Sequence, residues 1–233
     1  MDHVPDTRST SSGPQVPRQG ATPNPRMTSI REKLARMAPR KAVEILGPEL
    51  MKTQRLVLRP LMPKDRAQFI EAIANSRPQL ERYYDLWQPG DTHDTVFERQ
   101  LELTRLGASS GSACRRGAFL QDGRFVGCFN LSGIERGLEF TAEAAWWIRS
   151  DLGRMGLGTE GVKAMLEFAV NEIGSGGLGL VRVVAHLHPQ NIASRRLAAR
   201  AGMHEELGPR VAVRLHEEWV PHVTFVRSLA AAA

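Results

Sequence analysis

Cysteine and tyrosine are nearly missing from this sequence, with two of each among 233 residues. Cys114 and Cys128 are too few for a disulfide framework or a cysteine-based zinc site, so no metal is expected and a reducing cytoplasm is the expected compartment. No uninterrupted apolar run approaches the roughly 20 residues that cross a bilayer. The first fifteen residues also hold no apolar core of the kind a secretory signal needs. A membrane partner is therefore not expected. Residues 1–26 contain almost no large apolar side chains and cannot bury enough surface to order themselves. No single sign of charge dominates the domain either. The net charge is +6, of which eight Lys or Arg against five Asp or Glu in residues 1–50 supply +3; the other +3 is spread over 183 residues. The pI near 9.9 is thus partly a property of the leading segment, and nucleic-acid binding does not follow from it.

Hydrophobic periodicity is abundant beyond residue 50, and it is of two kinds. Residues 54–58 and 139–148 read as strands. The even positions of the second, Phe140, Ala142, Ala144, Trp146 and Ile148, are apolar. Residues 117–120 and 125–130 flank Gln121-Asp122-Gly123, a hairpin signal. Helical spacing places Phe69, Ile70 and Ile73 on one helix, and residues 95–107 on another. Residues 77–89 form a Pro-bounded segment with both tyrosines. Val162, Met165, Leu166, Ala169, Val170 and Ile173 share one face of a helix over residues 159–173. A strand at 180–187, a helix at 191–201 ended by Gly202 and a strand at 219–226 complete the pattern.

The expected fold is mixed α/β (α+β), with a central mixed sheet of about six or seven strands flanked by helices and at least one right-handed parallel crossover. The domain is expected over 51–229. Residues 1–50 are expected to be a disordered basic extension with a short helix from the capping box at Ser29-Ile-Arg-Glu32, and residues 230–233 a loose tail.

The chemical signal is the glycine loop Gly153-Arg-Met-Gly-Leu-Gly158 between a strand and a helix. Glycines let backbone N–H groups converge, and the helix N-terminus adds partial positive charge, a combination that suits a pyrophosphate. A tight turn that binds nothing has the same composition. Gly156-Leu-Gly-Thr-Glu-Gly161 also fits G-x-G-x-x-G, but it comes late in the chain and no acidic residue ends the next strand. His186-x-His188 has the spacing of a metal pair on a strand, yet lacks acidic or cysteine partners, so two histidines at a strand end are expected.

Four segments in order carry a resemblance: Thr53-Gln-Arg-Leu-Val-Leu-Arg59, Ala142-Glu-Ala-Ala-Trp-Trp-Ile148, Gly156-Leu-Gly-Thr-Glu160, and Asn191-Ile-Ala-Ser194 with Ala201-Gly-Met203. Together they resemble the GNAT N-acetyltransferase superfamily, in the branch that acetylates N-termini of ribosomal proteins (RimJ/RimL-like). The resemblance implies a GNAT fold and acetyl-CoA as acetyl donor. Arg154, Met155, Gly156, Leu157, Gly158 and Thr159 would hold the CoA pyrophosphate. The backbone of Trp146, Trp147 and Ile148 would pair with pantetheine in a gap between splayed parallel strands. Asn191 and Ser194 would lie near the sulfur. Three positions depart from the family pattern: Gly153 stands where Gln or Arg is usual, no tyrosine lies near the second of these helices, and Met203 replaces Phe.

Acetyl transfer needs a neutral amine, a stabilised oxyanion and a protonated leaving thiolate. With that tyrosine missing, Ser194 is the candidate for the sulfur, although it also fits first-turn capping by Asn191. Glu143 and Glu139, expected on one strand face with Trp147, are the candidate bases. By resemblance the acceptor side is lined by Glu81, Tyr83, Tyr84, Asp85 and Trp87. The acceptor is a protein N-terminus or a small-molecule amine, and a homodimer is left open. A non-catalytic acyl-CoA-binding module and an NAD(P)-linked oxidoreductase are the competing classes.

Overall fold

Leu56 and Leu58 are buried while Val57 and Arg59 face partly outward, the alternation of a strand whose one face meets a core. In the computed structural model, which describes residues 50–229, this strand is β2 (Leu56–Arg59). It follows a two-residue β1 (Met51–Lys52). The extension, the helix from Ser29 and the tail expected at either end lie outside the described residues. Arg59 then turns the chain into a helix. Its guanidinium donates twice to the buried carboxylate of Asp65, at 2.7 Å each, and that carboxylate also accepts from the Met62 N–H at 2.8 Å. The pair closes a turn of 3₁₀ helix (Pro63–Asp65) and launches α1 (Arg66–Tyr83).

Helix α1 does not stop at the proline-bounded segment expected at residue 77. It runs through Pro78, giving up one backbone hydrogen bond there, because Phe69, Ile73 and Leu80 on its buried face hold both halves to the same core. Helix α2 (His93–Ser110) begins on a capping box in which Thr92 and Thr95 exchange side-chain and backbone hydrogen bonds, and ends on Gly111 in the left-handed region. The expected hairpin is β3 (Cys114–Leu120) and β4 (Phe125–Glu135). After it come β5 (Thr141–Ile148), α3 (Leu157–Val170), β6 (Arg182–Leu187) and α4 (Ile192–Arg200). Last are β7 (His204–Glu205), β8 (Val211–Leu215) and β9 (Glu218–Ser228).

β5 is two residues shorter than expected at its start because Phe140 takes φ 48°, outside the extended region. Three short strands, β1, β7 and β8, escaped the sequence pattern. Each is five residues or fewer and leaves no clear period.

The strands form one sheet in the order β1-β2-β3-β4-β5-β6-β9-β7, with β8 paired to the first half of β9. All pairings are antiparallel except β5 with β6. A single parallel pair excludes a doubly wound dinucleotide domain. The sheet is buried on both faces. One core packs α3 and α4 against Phe129, Ala142, Ala144, Trp146, Val183 and Ala185. The other packs α1 and α2 against Phe119, Phe125, Cys128 and Trp147. Phe69 sits 5.3–5.8 Å, centroid to centroid, from Phe97, Phe125 and Trp147.

Candidate active site

β5 and β6 pair over only three positions, Thr141 with Arg182, Ala142 with Val183 and Glu143 with Val184. Beyond Glu143 the ladder stops, although β5 continues to Ile148 and β6 to Leu187. The backbone edge of residues 144–148 therefore looks into an opening while β4 keeps the other edge paired as far as Ile148. An unpaired row of amides and carbonyls in the middle of a sheet is a place where another chain-like molecule can add hydrogen bonds.

Directly after this edge comes the glycine loop. Arg154 takes φ 62° and Gly156 φ 80°, so the chain turns left-handed twice before α3 begins. Among the described residues, the N–H groups of residues 154–159 have no backbone or side-chain acceptor; the first helical bond is Glu160 N–H to Gly156 O. Consecutive free amides at the positive end of a fourteen-residue helix form an anion cradle. Two further glycines of the loop have a different cause. A Cβ on Gly158 would lie 2.6 Å from Leu197 Cδ1 and 2.8 Å from Ile148 Cδ1, and one on Gly161 would lie 2.5 Å from the Phe129 ring. The G-x-G-x-x-G spacing records close packing of α3 on α4 and β4.

The loop is tied down from behind. Glu160 accepts from the Thr53 hydroxyl at 2.5 Å, the Arg55 N–H at 2.8 Å and Arg55 Nε at 2.7 Å, while Arg55 also donates to Met155 O at 2.8 Å. Burial pushes the Glu160 carboxyl up, but the Thr53 and Arg55 hydrogen bonds outweigh it and hold the group below its usual range. A carboxyl held low stabilises the fold above its unfolded pKa, about 4.3, and loses that contribution as pH falls through the native value. Glu160→Gln is expected to cost about 1.5–3 kcal/mol at pH 7. Thermal melts at falling pH should show the gap between wild type and variant narrowing below about pH 4.

A family model for an acetyltransferase (GNAT) domain matches residues 55–204, more than half of the chain. The chain belongs to that family. It is an acetyl-CoA-dependent N-acetyltransferase. Among similar proteins is the probable N-acetyltransferase YjcK of Bacillus subtilis (strain 168), 25% identical over 176 residues that cover 74% of this chain and 93% of YjcK. Mycobacterium smegmatis RimJ, solved with a CoA disulfide, superposes with TM-score 0.63 at 21% identity, covering 74% of this chain and 81% of RimJ. A ribosomal-protein-alanine acetyltransferase from Vibrio fischeri does so with TM-score 0.63 at 15% identity, covering 77% and 96%. At these identities the solved structures establish the shared fold.

For a GNAT acetyltransferase the residues present fit the acyl donor on two counts: the opened β5–β6 ladder and the run of free loop amides. Arg200 on α4, whose Nε lies 3.5 Å from Thr159 Oγ1, adds a cation beside the loop that sequence reading missed. Its position 41 residues beyond the loop left no local signal. Asn191 is the N-cap of α4 and its Oδ1 accepts from the Ser194 N–H at 3.1 Å. That hydrogen bond is the capping reading, and it leaves the half-buried Ser194 hydroxyl uncommitted.

On the opposite face of the sheet several expectations change. The side chain of Trp147, expected on one face with the candidate bases, is buried against Phe69 and Phe125. Glu139 stands on an exposed turn before β5 and does not share its face, whereas Glu143 projects from that face and is exposed. Glu81 is paired with Arg77 at 2.7 Å, and Asp85 lies 3.6 Å from His216 Nδ1 at the β8–β9 turn, where His216 also meets the Glu81 carbonyl. Trp87 packs between the Arg77 guanidinium and His93.

The two tyrosines, remote in sequence, converge on the opening. Tyr83 donates to Gln190 O at 3.4 Å, next to the α4 cap, and its ring lies 5.3 Å from His188. Tyr84 places its hydroxyl against Asn130. Burial raises its pKa, Arg115 opposes that shift, and neighbouring Cys128 and Glu143 add to it.

Among the described residues no helix is long and apolar enough to cross a membrane, and no group of three or more His, Cys, Asp or Glu is placed to hold a metal.

Proposed function

We propose that the acetyl acceptor is a protein N-terminal α-amine, and that the donor lies along the unpaired edge of β5 with its pyrophosphate on the amides of residues 154–159. The observation that carries this reading is the ladder that ends at Glu143–Val184, directly in line with that anion cradle. A thioester held there has Ser194 on α4 at its sulfur side and Glu143 at the closed end of the opening. Among the described residues Glu143 has no basic partner, so its carboxylate attracts the ammonium form of an incoming amine. Tyr83, Tyr84, Asn130 and Arg115 supply polar groups for the first residues of a peptide, and His216 at the β8–β9 turn closes the acidic end of α1. The name of the Vibrio fischeri ribosomal-protein-alanine acetyltransferase, which shares this fold, supports a protein acceptor over a small amine.

The test is mass spectrometry on peptides incubated with acetyl-CoA. Peptides with free α-amines should gain one acetyl group at the N-terminus, and α-blocked peptides with lysine should stay unmodified. Acetylation confined to lysine or to small polyamines would remove the protein N-terminus as acceptor.

A further inference from the structure

Alternation along β6 sends Val183 and Ala185 into the core beneath α3 and α4, and turns Val184 and His186 to the face from which Glu143 projects. His186 lies two residues beyond Val184, the last position paired to β5, so it stands on the β6 wall of the opening whose closed end carries Glu143. Its ladder partner on β9 is Thr224, and the same residue is its hydrogen-bond partner, with Nδ1 3.2 Å from Thr224 Oγ1. The ring is thus oriented by a strand pairing as well as by a side chain. A threonine hydroxyl can accept as well as donate, so the contact admits the Nδ1–H tautomer, which leaves the Nε2 lone pair for the opening.

The other imidazoles on this face are committed. His188 Nδ1 accepts from the Gln190 N–H at 3.2 Å, and its ring is enclosed by Tyr83 and His222 at 5.3 and 5.5 Å. His222 is buried with Nδ1 2.9 Å from Val220 O. The charged and titratable groups on the His186–His188 side are thus Glu143 on β5, paired with Val184, together with His188 itself and the groups set against it: His222 from β9, and Tyr83 with Arg82 from the end of α1.

We propose that His186, positioned by Thr224, takes the proton from the acceptor amine in acetyl transfer; this rests on the β5–β6 opening being the acyl-donor site. The ammonium gives one proton to Nε2 and becomes a neutral amine. The nitrogen lone pair forms the C–N bond at the thioester carbonyl carbon while the carbonyl π pair moves to oxygen. Collapse of that oxyanion breaks the C–S bond, and sulfur leaves with the bonding pair. The second nitrogen proton passes to the sulfur by way of the Ser194 hydroxyl, giving amide and free thiol, and His186 returns its proton to solvent. Glu143 attracts the cation and His186 deprotonates it.

Two measurements test the assignment. In the first, His186→Gln should lower kcat/KM for a peptide acceptor by about 10²-fold at pH 7. The rising limb of its pH profile should shift towards that of the free α-amine of the acceptor, about 8. Thermal stabilisation by acetyl-CoA should be unchanged. Thr224→Val should lose part of the rate and Thr224→Ser should keep it. In the second, which needs no acceptor, ¹⁵N NMR of the acetyl-CoA complex should show neutral His186 as the Nδ1–H tautomer. An Nε2–H tautomer, or unchanged kcat/KM in His186→Gln with a normal acetyl-CoA response, overturns the proposal and spares the donor site. A wild-type protein that acetyl-CoA does not stabilise overturns both.

Discussion

Gly127→Ala is expected to destabilise the protein by about 3 kcal/mol, at the upper end of what overpacking costs. For a domain of this size that lowers the melting temperature by roughly 6–12 °C. The reason is a collision with main chain. A Cβ at Gly127 would lie 2.1 Å from the Trp147 carbonyl oxygen, 2.9 Å from Ile148 Cα and 3.0 Å from the Trp147 carbonyl carbon. A flexible side chain can turn away from such a contact. The carbonyl of Trp147 cannot, because Gly127 pairs with Ile148 and Cys128 with Trp147 in the β4–β5 ladder. Relief requires the end of β5 to move, and that end supplies the edge assigned to the acyl donor. Folded Gly127→Ala should therefore also bind acetyl-CoA more weakly, as a thermal-shift titration would show. A variant with wild-type stability and binding would mean that β4 and β5 do not approach this closely in solution.

Ser194→Ala is expected to reduce kcat by about 10²-fold or more while changing the acetyl-CoA Kd by less than about threefold. The hydroxyl is half-buried in the first turn of α4, and the cap beneath it is made by its backbone N–H to Asn191, which alanine preserves. Stability should therefore barely change. Asn191→Ala, in contrast, removes the cap and should cost about 1 kcal/mol. Stopped-flow measurement of CoA release against peptide acetylation separates the two effects. Equal kcat in Ser194→Ala and wild type would remove the hydroxyl from the proton path to sulfur and leave Ser194 as part of the cap alone.

What the sequence made legible was whatever depends on neighbours in the chain. The helix of Val162, Met165, Leu166 and Ala169, the Asp122-Gly123 hairpin and the loop around Gly156 each carry their own period or turn chemistry and lie close to where they were expected, although the helix runs Leu157–Val170 and leaves Ile173 exposed on a following 3₁₀ turn. The proposed donor side is built almost wholly from such local pieces. The proposed acceptor side is not. Tyr83 and Gln190 are 107 residues apart, and His186 meets Thr224 across 38, so their proximity exists only once the sheet has been ordered. His186 and His188 looked like histidines at a strand end because nothing local announces β9 as the wall beside them. The face of β5 misled for a related reason. Trp147 and Glu143 do share it, but α1 covers only the end that carries Trp147, so one residue is core and the other is exposed. The helix through Pro78 is a third case, in which burial of Ile73 and Leu80 outweighs one lost hydrogen bond.

Amide hydrogen exchange with and without acetyl-CoA tests the central claim most directly. Protection should rise at the N–H groups of residues 154–159, which have no acceptor among the described residues, and along the unpaired edge of residues 144–148. It should stay unchanged at Thr141–Glu143, which are already paired to β6. Protection that appears elsewhere, with the loop and the β5 edge exchanging as before, would contradict the donor site.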